Sequence, residues 1–147
     1  MSTRGLFSFR FNGQDYVTYH PSDSYPEGLG SWLVHFAQRR LATDAEIEAF
    51  GTKLEALEWR APSPAQGRPC RGFLGYELLE GIAEGRITWM FQDPDLVRTC
   101  LDCEFAYLLD LDAGVLEFWN LPERIASFPL ASISSWAVGI MACEQRR

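Results

Sequence analysis

Several features that would assign this 147-residue sequence to a protein class are missing. No stretch of it approaches the roughly 20 apolar residues that a membrane-spanning helix needs. The first segment alternates charged and aromatic residues and shows no basic region followed by an apolar run, so we predict no secretory signal and a cytoplasmic location. These absences favour one globular domain spanning residues 1–147.

Positive charge is also scarce. The chain has 13 Lys and Arg residues against 20 Asp and Glu, which gives a net charge of −7 at pH 7. Binding to phosphates rests on Lys and Arg, so this charge argues against nucleic acid as a partner. A protein partner with a basic surface fits better, a homo-oligomer stays open, and solubility alone also accounts for an acidic surface.

Residues that bind metals are few. The chain has four Cys and two His, and only Cys100 and Cys103 have the spacing of a zinc or redox pair. A structural zinc site normally uses two such pairs, and a redox pair opens a helix after a strand, whereas this one precedes a strand. We therefore predict no metal, no cofactor and reduced thiols at all four Cys.

The sequence does contain a clear signal for a hairpin near the N-terminus. Period-two alternation marks its first strand, with aromatic residues at Phe7, Phe9 and Phe11. Asn12-Gly13 is a strong signal for a two-residue turn, which places Arg10 opposite Asp15 and Gly5 opposite His20. Both faces of this hairpin carry apolar residues, so we expect both to be covered.

The rest of the chain alternates helical and strand patterns. We predict a loop at His20–Gly28 and then a helix to about Leu41. A second helix is opened by the capping box Thr43–Glu46 and runs to about Trp59, and a short helix follows at Glu77–Glu84. We further predict a strand at Ile87–Phe91, a hairpin over Cys103–Leu121, and a helical C-terminal segment from about Pro129 with Ile133, Trp136 and Ile140 at helical spacing. The fold class is therefore α+β, with a mostly antiparallel sheet built from two hairpins and one further strand, and three or four helices packed on it.

One group of polar residues is a candidate site. The hairpin register brings Arg4 beside His20, and Asp23 and Tyr25 follow within a few residues. A guanidinium, an imidazole, a carboxylate and a phenol together can bind an anion or move a proton. A purely structural role is the alternative, in which Arg4 and Asp23 form a charge-assisted pair that holds the Tyr25-Pro26 loop on the hairpin.

The N-terminus offers a second possibility. Removal of Met1 would expose Ser2, whose hydroxyl could act as a nucleophile with its own α-amine as the base.

The same segment resembles a family of small phage and bacterial proteins. Members begin Met-Gly-Thr-Arg and carry a His-x-Asp-x-Tyr-Pro segment that leads into a helix. The matching residues are Met1-Ser2-Thr3-Arg4-Gly5 and His20-x-x-Asp23-x-Tyr25-Pro26-x-Gly28-x-Gly30. Two positions depart from the pattern, because Ser2 replaces Gly and His20 lies three residues before Asp23 instead of two. The family has no established activity, and the resemblance implies one cluster made of Thr3, Arg4, Asp23, Tyr25, Pro26 and Gly30.

Two functional hypotheses follow. The first is a non-enzymatic interaction protein of phage or mobile-element type that binds a host macromolecule, with Thr3, Arg4, His20, Asp23 and Tyr25 as candidate binding residues. The alternative is a small hydrolase or transferase that uses an N-terminal site made of Ser2, Arg4, His20, Asp23 and Tyr25.

Overall fold

The computed structural model describes residues 3–20, 23–60, 75–91 and 103–145. Within these ranges the strands are β1 (Gly5–Phe11), β2 (Gln14–His20), β3 (Glu58–Arg60), β4 (Trp89–Phe91), β5 (Phe105–Asp110), β6 (Val115–Asn120) and β7 (Glu123–Pro129). The α-helices in the same ranges are α1 (Ser31–Arg40), α2 (Asp44–Ala56), α3 (Gly75–Ala83) and α4 (Trp136–Gln145). The fold is α+β, as predicted.

The main sheet has five strands in the order β2-β1-β5-β6-β7. All neighbouring pairs are antiparallel except β1 and β5, which run parallel. The first hairpin has the predicted register, with Gly5 opposite His20 and Arg10 opposite Asp15. Asn12 and Gly13 have φ angles of 51° and 74°, which is the backbone of a type I′ turn. The second predicted hairpin is formed by β5 and β6.

The two faces of this sheet are different. On one face the aromatic residues Phe7, Phe9 and Phe11 of β1 join a large core with residues from the helices. The other face, which we call the second face, carries the alternate residues of the inner strands: Leu6, Ser8, Arg10, Ala106, Leu108, Asp110, Val115, Glu117 and Trp119. Leu6 and Val17 are buried on the second face, so both sides of the first hairpin are covered, as predicted.

Two predicted strand and helix limits are wrong. The segment predicted as a strand at Ile87–Phe91 forms only β4, and it pairs in parallel with β3 in a separate two-stranded sheet instead of joining the main sheet. The second helix ends at Ala56 and not near Trp59, because Trp59 lies in β3, where its ring stacks on Tyr16. The edge strand β7 was not predicted, since its residues lack a clean alternation of apolar and polar side chains.

The helices that were predicted from local signals are present. A π-helical turn at Pro26–Gly30 leads directly into α1. Thr43 caps α2 by accepting a hydrogen bond from the Glu46 amide at 3.2 Å, as expected of a capping box. The short helix predicted at Glu77–Glu84 is α3, whose bounds differ by one or two residues. The loop predicted over 60–71 lies almost wholly outside the described residues.

The C-terminal helix is present, but it begins at Trp136 and not near Pro129, because a 3-10 turn at Leu130–Ser132 precedes it. The residues that face the core are Ala137, Met141 and Ala142, whereas Trp136 and Ile140 point outward. The fully buried Met141 reaches the π-helical turn, where a Cβ added to Gly30 would come within 3.3 Å of its methyl group. Gly30 therefore leaves the space into which Met141 packs.

The prediction of four reduced thiols is wrong for Cys103, which is disulfide-bonded. Cys143 is free and exposed, and Cys70 and Cys100 lie outside the described residues. The prediction rested on the expected compartment alone, which does not determine the oxidation state of an individual cysteine.

Candidate functional site

The predicted N-terminal site is only partly assembled. The end of the first hairpin brings the following loop to β1, where the Ser24 amide donates a hydrogen bond to the Thr3 carbonyl at 3.0 Å. His20 is buried, whereas Arg4, Asp23 and Tyr25 are exposed. Ser2 lies outside the described residues.

The predicted Arg4–Asp23 pair is not formed. Within the described part of the chain, no hydrogen bond or ion pair joins these two side chains. Asp23 instead has a left-handed backbone with φ of 53°, and its carbonyl accepts a hydrogen bond from the Leu29 amide at 2.8 Å. Asp23 thus shapes the entry to the π-helical turn through its backbone, while its carboxylate stays at the surface.

The loop is held by Ser24 instead, a residue that the sequence analysis did not single out. Ser24 is fully buried, and its Oγ lies 3.1 Å from His20 Nδ1 and 3.3 Å from the His20 carbonyl. The Tyr107 hydroxyl of β5 donates to the Ser24 carbonyl at 2.7 Å. A serine in a loop gives no local signal for this role, because its partner Tyr107 is 83 residues away.

This arrangement is that of a structural anchor. The buried His20 ring contacts Ser24 and packs nearly perpendicular to the half-buried Trp32 ring, with 6.3 Å between the ring centroids. Burial, with the Glu27 carboxylate adding to it, raises the pKa of Tyr107 far above its ordinary value, so the phenol stays a hydrogen-bond donor. Buried His, Ser and Tyr groups that satisfy one another stabilise a loop without needing contact with a substrate.

We expect the Tyr107→Phe variant to lower the free energy of unfolding by about 1–3 kcal/mol, because it leaves the buried Ser24 carbonyl without its donor. Urea denaturation followed by fluorescence measures this. The matched control is Tyr25→Phe, which removes a hydroxyl from an exposed side chain and should change stability by less than about 0.5 kcal/mol. Equal effects of the two variants would rule out the anchor.

A second polar region lies on the second face of the sheet. There a cavity of about 450 Å³ is lined by aliphatic side chains, by Trp119 and by the charged residues Arg10, Asp15 and Glu117. Arg4, His20, Asp23 and Tyr25 do not line it. The predicted candidate residues and this cavity are therefore separate features of the fold.

Arg10 forms a ladder of charges across three strands at one end of the cavity. Its Nε and Nη2 donate to the two carboxylate oxygens of Asp15 at 2.7 and 3.2 Å, and its Nη1 donates to Asp110 Oδ2 at 3.0 Å. The hydrogen bond to Asp15 contributes most to raising the pKa of Arg10, so the guanidinium stays charged. The Asp15 pairing follows from the predicted hairpin register, whereas Asp110 requires the parallel contact of β1 and β5, which no local pattern indicates.

A third feature is the outward side of α4. Trp136, Gly139, Ile140 and Cys143 are spaced by three or four residues, so they lie along one side of the helix, which we call the outer face. Trp136 is 79% exposed and Ile140 is 46% exposed. The outer face contains no charged residue.

Two kinds of site are not found in the described ranges. No group of three or more His, Cys, Asp and Glu residues there is placed to hold a metal ion. None of the helices in those ranges combines the length and apolar character that crossing a bilayer requires.

The N-terminal resemblance has no support beyond the residues that carry it, and it stays a prediction. Comparisons with protein-family models, with curated proteins and with solved structures found no match to this chain.

Proposed function

We propose that this chain is a non-enzymatic interaction protein that binds a partner protein through the outer face of α4. The observation that carries the proposal is the exposure of Trp136, the most exposed large hydrophobic residue within the described ranges, next to Ile140 on the same side of the helix. Trp is the residue most enriched among those that dominate binding energy at protein interfaces.

The outer face is unusual because α4 carries apolar residues on both its inward and its outward side. A surface helix normally turns its large apolar residues inward and its polar residues outward. In α4 the inward residues are Ala137, Met141 and Ala142, and the outward ones include a tryptophan and an isoleucine. Exposing such a pair costs solubility, and a cluster of this kind is typical of a surface that another protein covers.

The partner that fits is a protein with an apolar groove bordered by basic residues. An apolar helix face with anchors at positions i and i+4 suits the helix-in-groove mode of recognition. The net charge of −7 favours a basic border through long-range attraction. The assignment of this partner to the host of a phage or mobile element rests on the N-terminal resemblance.

The alternative, a small hydrolase or transferase at the N-terminus, has weaker support. His20 is buried against Ser24, while Arg4 and Asp23 are exposed. A general base must reach a bound substrate, and His20 is enclosed by protein groups.

Site-specific photo-cross-linking tests the proposal. A photoreactive amino acid in place of Cys143, which is exposed on the outer face, should yield one discrete cross-linked species in bacterial lysate. We expect the Trp136→Ser/Ile140→Ser double variant to weaken binding of the cross-linked protein, once identified, by about 30-fold or more, because two anchors are lost.

The control is Tyr25→Ser, which alters the third large hydrophobic residue exposed in the described ranges. Binding should survive this change, and the melting temperature of the double variant should not fall, since both anchors are outside the core. If Tyr25→Ser abolishes binding and the double variant does not, the docking surface lies in the N-terminal loop and the proposal is wrong.

A further inference from the structure

The cavity on the second face of the sheet contains a carboxylate that its surroundings only partly satisfy. The Glu117 side chain is 12% exposed. Its Oε1 accepts a hydrogen bond from Trp119 Nε1 at 3.1 Å, and its Oε2 lies 3.6 Å from Arg124 Nη1, beyond hydrogen-bond distance. A largely buried carboxylate has room for several donors, and here one oxygen has only a long ion pair.

Glu117 lies between a charged and an apolar part of the second face. Two residues further along the strands in one direction are Asp110 and Arg10. Its apolar neighbours are Leu108, directly opposite, and Ala106 and Leu6, two residues further along in the other direction. These apolar residues, together with Val17 and Leu121, line the cavity. A bound molecule would therefore meet an aliphatic floor, an indole at one side, and a carboxylate that accepts hydrogen bonds.

The other charged groups of the cavity do not make it favour an anion over a cation. Among the lining residues that the structure describes, Arg10 is the cation, and it is already bound to two carboxylates, Asp15 and Asp110. A bound anion would have to compete with both of them for the guanidinium and would also face Glu117. A bound cation competes at Glu117 Oε2 only with the long, 3.6 Å ion pair to the exposed Arg124 side chain, and it gains from the net charge of −7 of the whole chain.

From this geometry we infer that the cavity is a binding site for an organic cation with an aliphatic body, such as an alkylammonium ion. The ammonium group donates to Glu117 Oε2, while the Trp119 indole keeps its hydrogen bond to Glu117 Oε1. The alkyl chain lies on Leu6, Val17 and Leu108. The cavity volume of about 450 Å³ falls in the range of small-molecule sites, which is about 300–1,000 Å³.

The test compares probes that differ in charge and length: octylammonium, hexylammonium, 1-octanol and octanoate, titrated calorimetrically at pH 7 into the full chain. We expect octylammonium to bind at least about tenfold tighter than 1-octanol, because a charge-assisted hydrogen bond is lost in the alcohol. Octylammonium should also bind about tenfold tighter than hexylammonium, since each buried methylene contributes about fourfold at most. Octanoate should bind weakest.

The Glu117→Gln variant should remove the preference for the ammonium over the alcohol. Glutamine keeps the size of the side chain and can still accept from Trp119, so the change isolates the charge. The matched control is Glu48→Gln, which makes the same change at an exposed position of α2. Because α2 packs on the other face of the sheet, this variant should keep the full preference.

Three results would overturn the proposal. The first is equal affinity for octylammonium and 1-octanol. The second is tighter binding of octanoate than of octylammonium. The third is an equal loss of the preference for the ammonium over the alcohol in the Glu117→Gln and Glu48→Gln variants. If Glu117→Gln does not fold, the site is tested in the wild-type protein by following the NMR resonance of the Trp119 indole N–H. Octylammonium must shift it saturably, and an unchanged resonance contradicts the site.

Discussion

Replacing Gly5 by alanine is expected to lower the free energy of unfolding by about 3 kcal/mol, at the upper end of what overpacking by one methyl group costs. Gly5 lies on the helix-covered face of β1, between β2 and β5. A Cβ added there would be 2.7 Å from Ser24 Cβ and 2.8 Å from the Phe105 carbonyl oxygen. The loop anchor and the parallel pairing of β1 with β5 both depend on this close approach.

The cost is high because neither neighbour can move freely. The Phe105 oxygen belongs to the backbone of a central strand, and Ser24 is held by the Thr3 carbonyl and by Tyr107. Displacing Ser24 would also disturb its contact with His20. Urea denaturation measures the change in unfolding free energy, and a loss below about 1 kcal/mol would show that the loop repacks around the methyl group.

The matched control is Gly139→Ala. A Cβ at Gly139 would meet nothing within 4 Å. Since Gly139 is an exposed position inside α4, alanine should stabilise the protein by up to about 1 kcal/mol through its higher helix propensity. Replacing glycine by alanine should therefore lower the unfolding free energy at position 5 and raise it at position 139.

Local signals predicted those parts of the fold in which the interacting residues are close in sequence. Asn12-Gly13 determines the register of the first hairpin, because a two-residue turn leaves only one pairing of the strands. Thr43 and Glu46 are three residues apart, so the capping box is visible without any knowledge of the tertiary structure. These elements were correct.

Contacts between distant residues could not be predicted. The parallel pairing of β1 with β5 joins Gly5 to Phe105, and β-strand pairing across such a separation leaves no local pattern. The charge ladder at Arg10 and the anchor at Tyr107 both depend on that pairing. The candidate residues Arg4, Asp23 and Tyr25 are exposed, while Ser24 and Tyr107, the buried partners of this loop, were consequently missed.

The apolar spacing at the C-terminus does not indicate which side of α4 faces the core, for a different reason. Ile133, Trp136 and Ile140 have the best apolar spacing, and the usual assumption is that such residues are buried. The helix instead packs through Ala137, Met141 and Ala142, of which Met141 reaches the π-helical turn. A sequence pattern gives the spacing of apolar residues, but it does not show which of them face the core.

The largest expected loss follows from removing the two arginines at the end of α1. Glu80 of α3 is buried, and it forms ion pairs with Arg39 through Oε1 and with Arg40 through Oε2, the latter at 2.8 Å. We expect the Arg39→Ala/Arg40→Ala double variant to lose about 3–5 kcal/mol of unfolding free energy, because the Glu80 carboxylate is left buried without a cation. Thermal or urea denaturation measures the loss.

A triple variant separates the stranded charge from other effects of losing two long side chains. Adding Glu80→Leu to the double variant replaces the buried charge by an apolar side chain of similar size, so most of the lost stability should return. If the triple variant is as unstable as the double variant, the arginines stabilise the α1–α3 contact through their alkyl chains and not by neutralising Glu80.

An exposed ion pair nearby provides the control. Arg86 Nε lies 2.7 Å from Glu84 Oε2, and both side chains are exposed to solvent. Arg86→Ala should change the unfolding free energy by less than about 1 kcal/mol, because water screens the charge that is left behind. A similar loss from Arg86→Ala and from the double variant would mean that burial of Glu80 is not what makes its two arginines necessary.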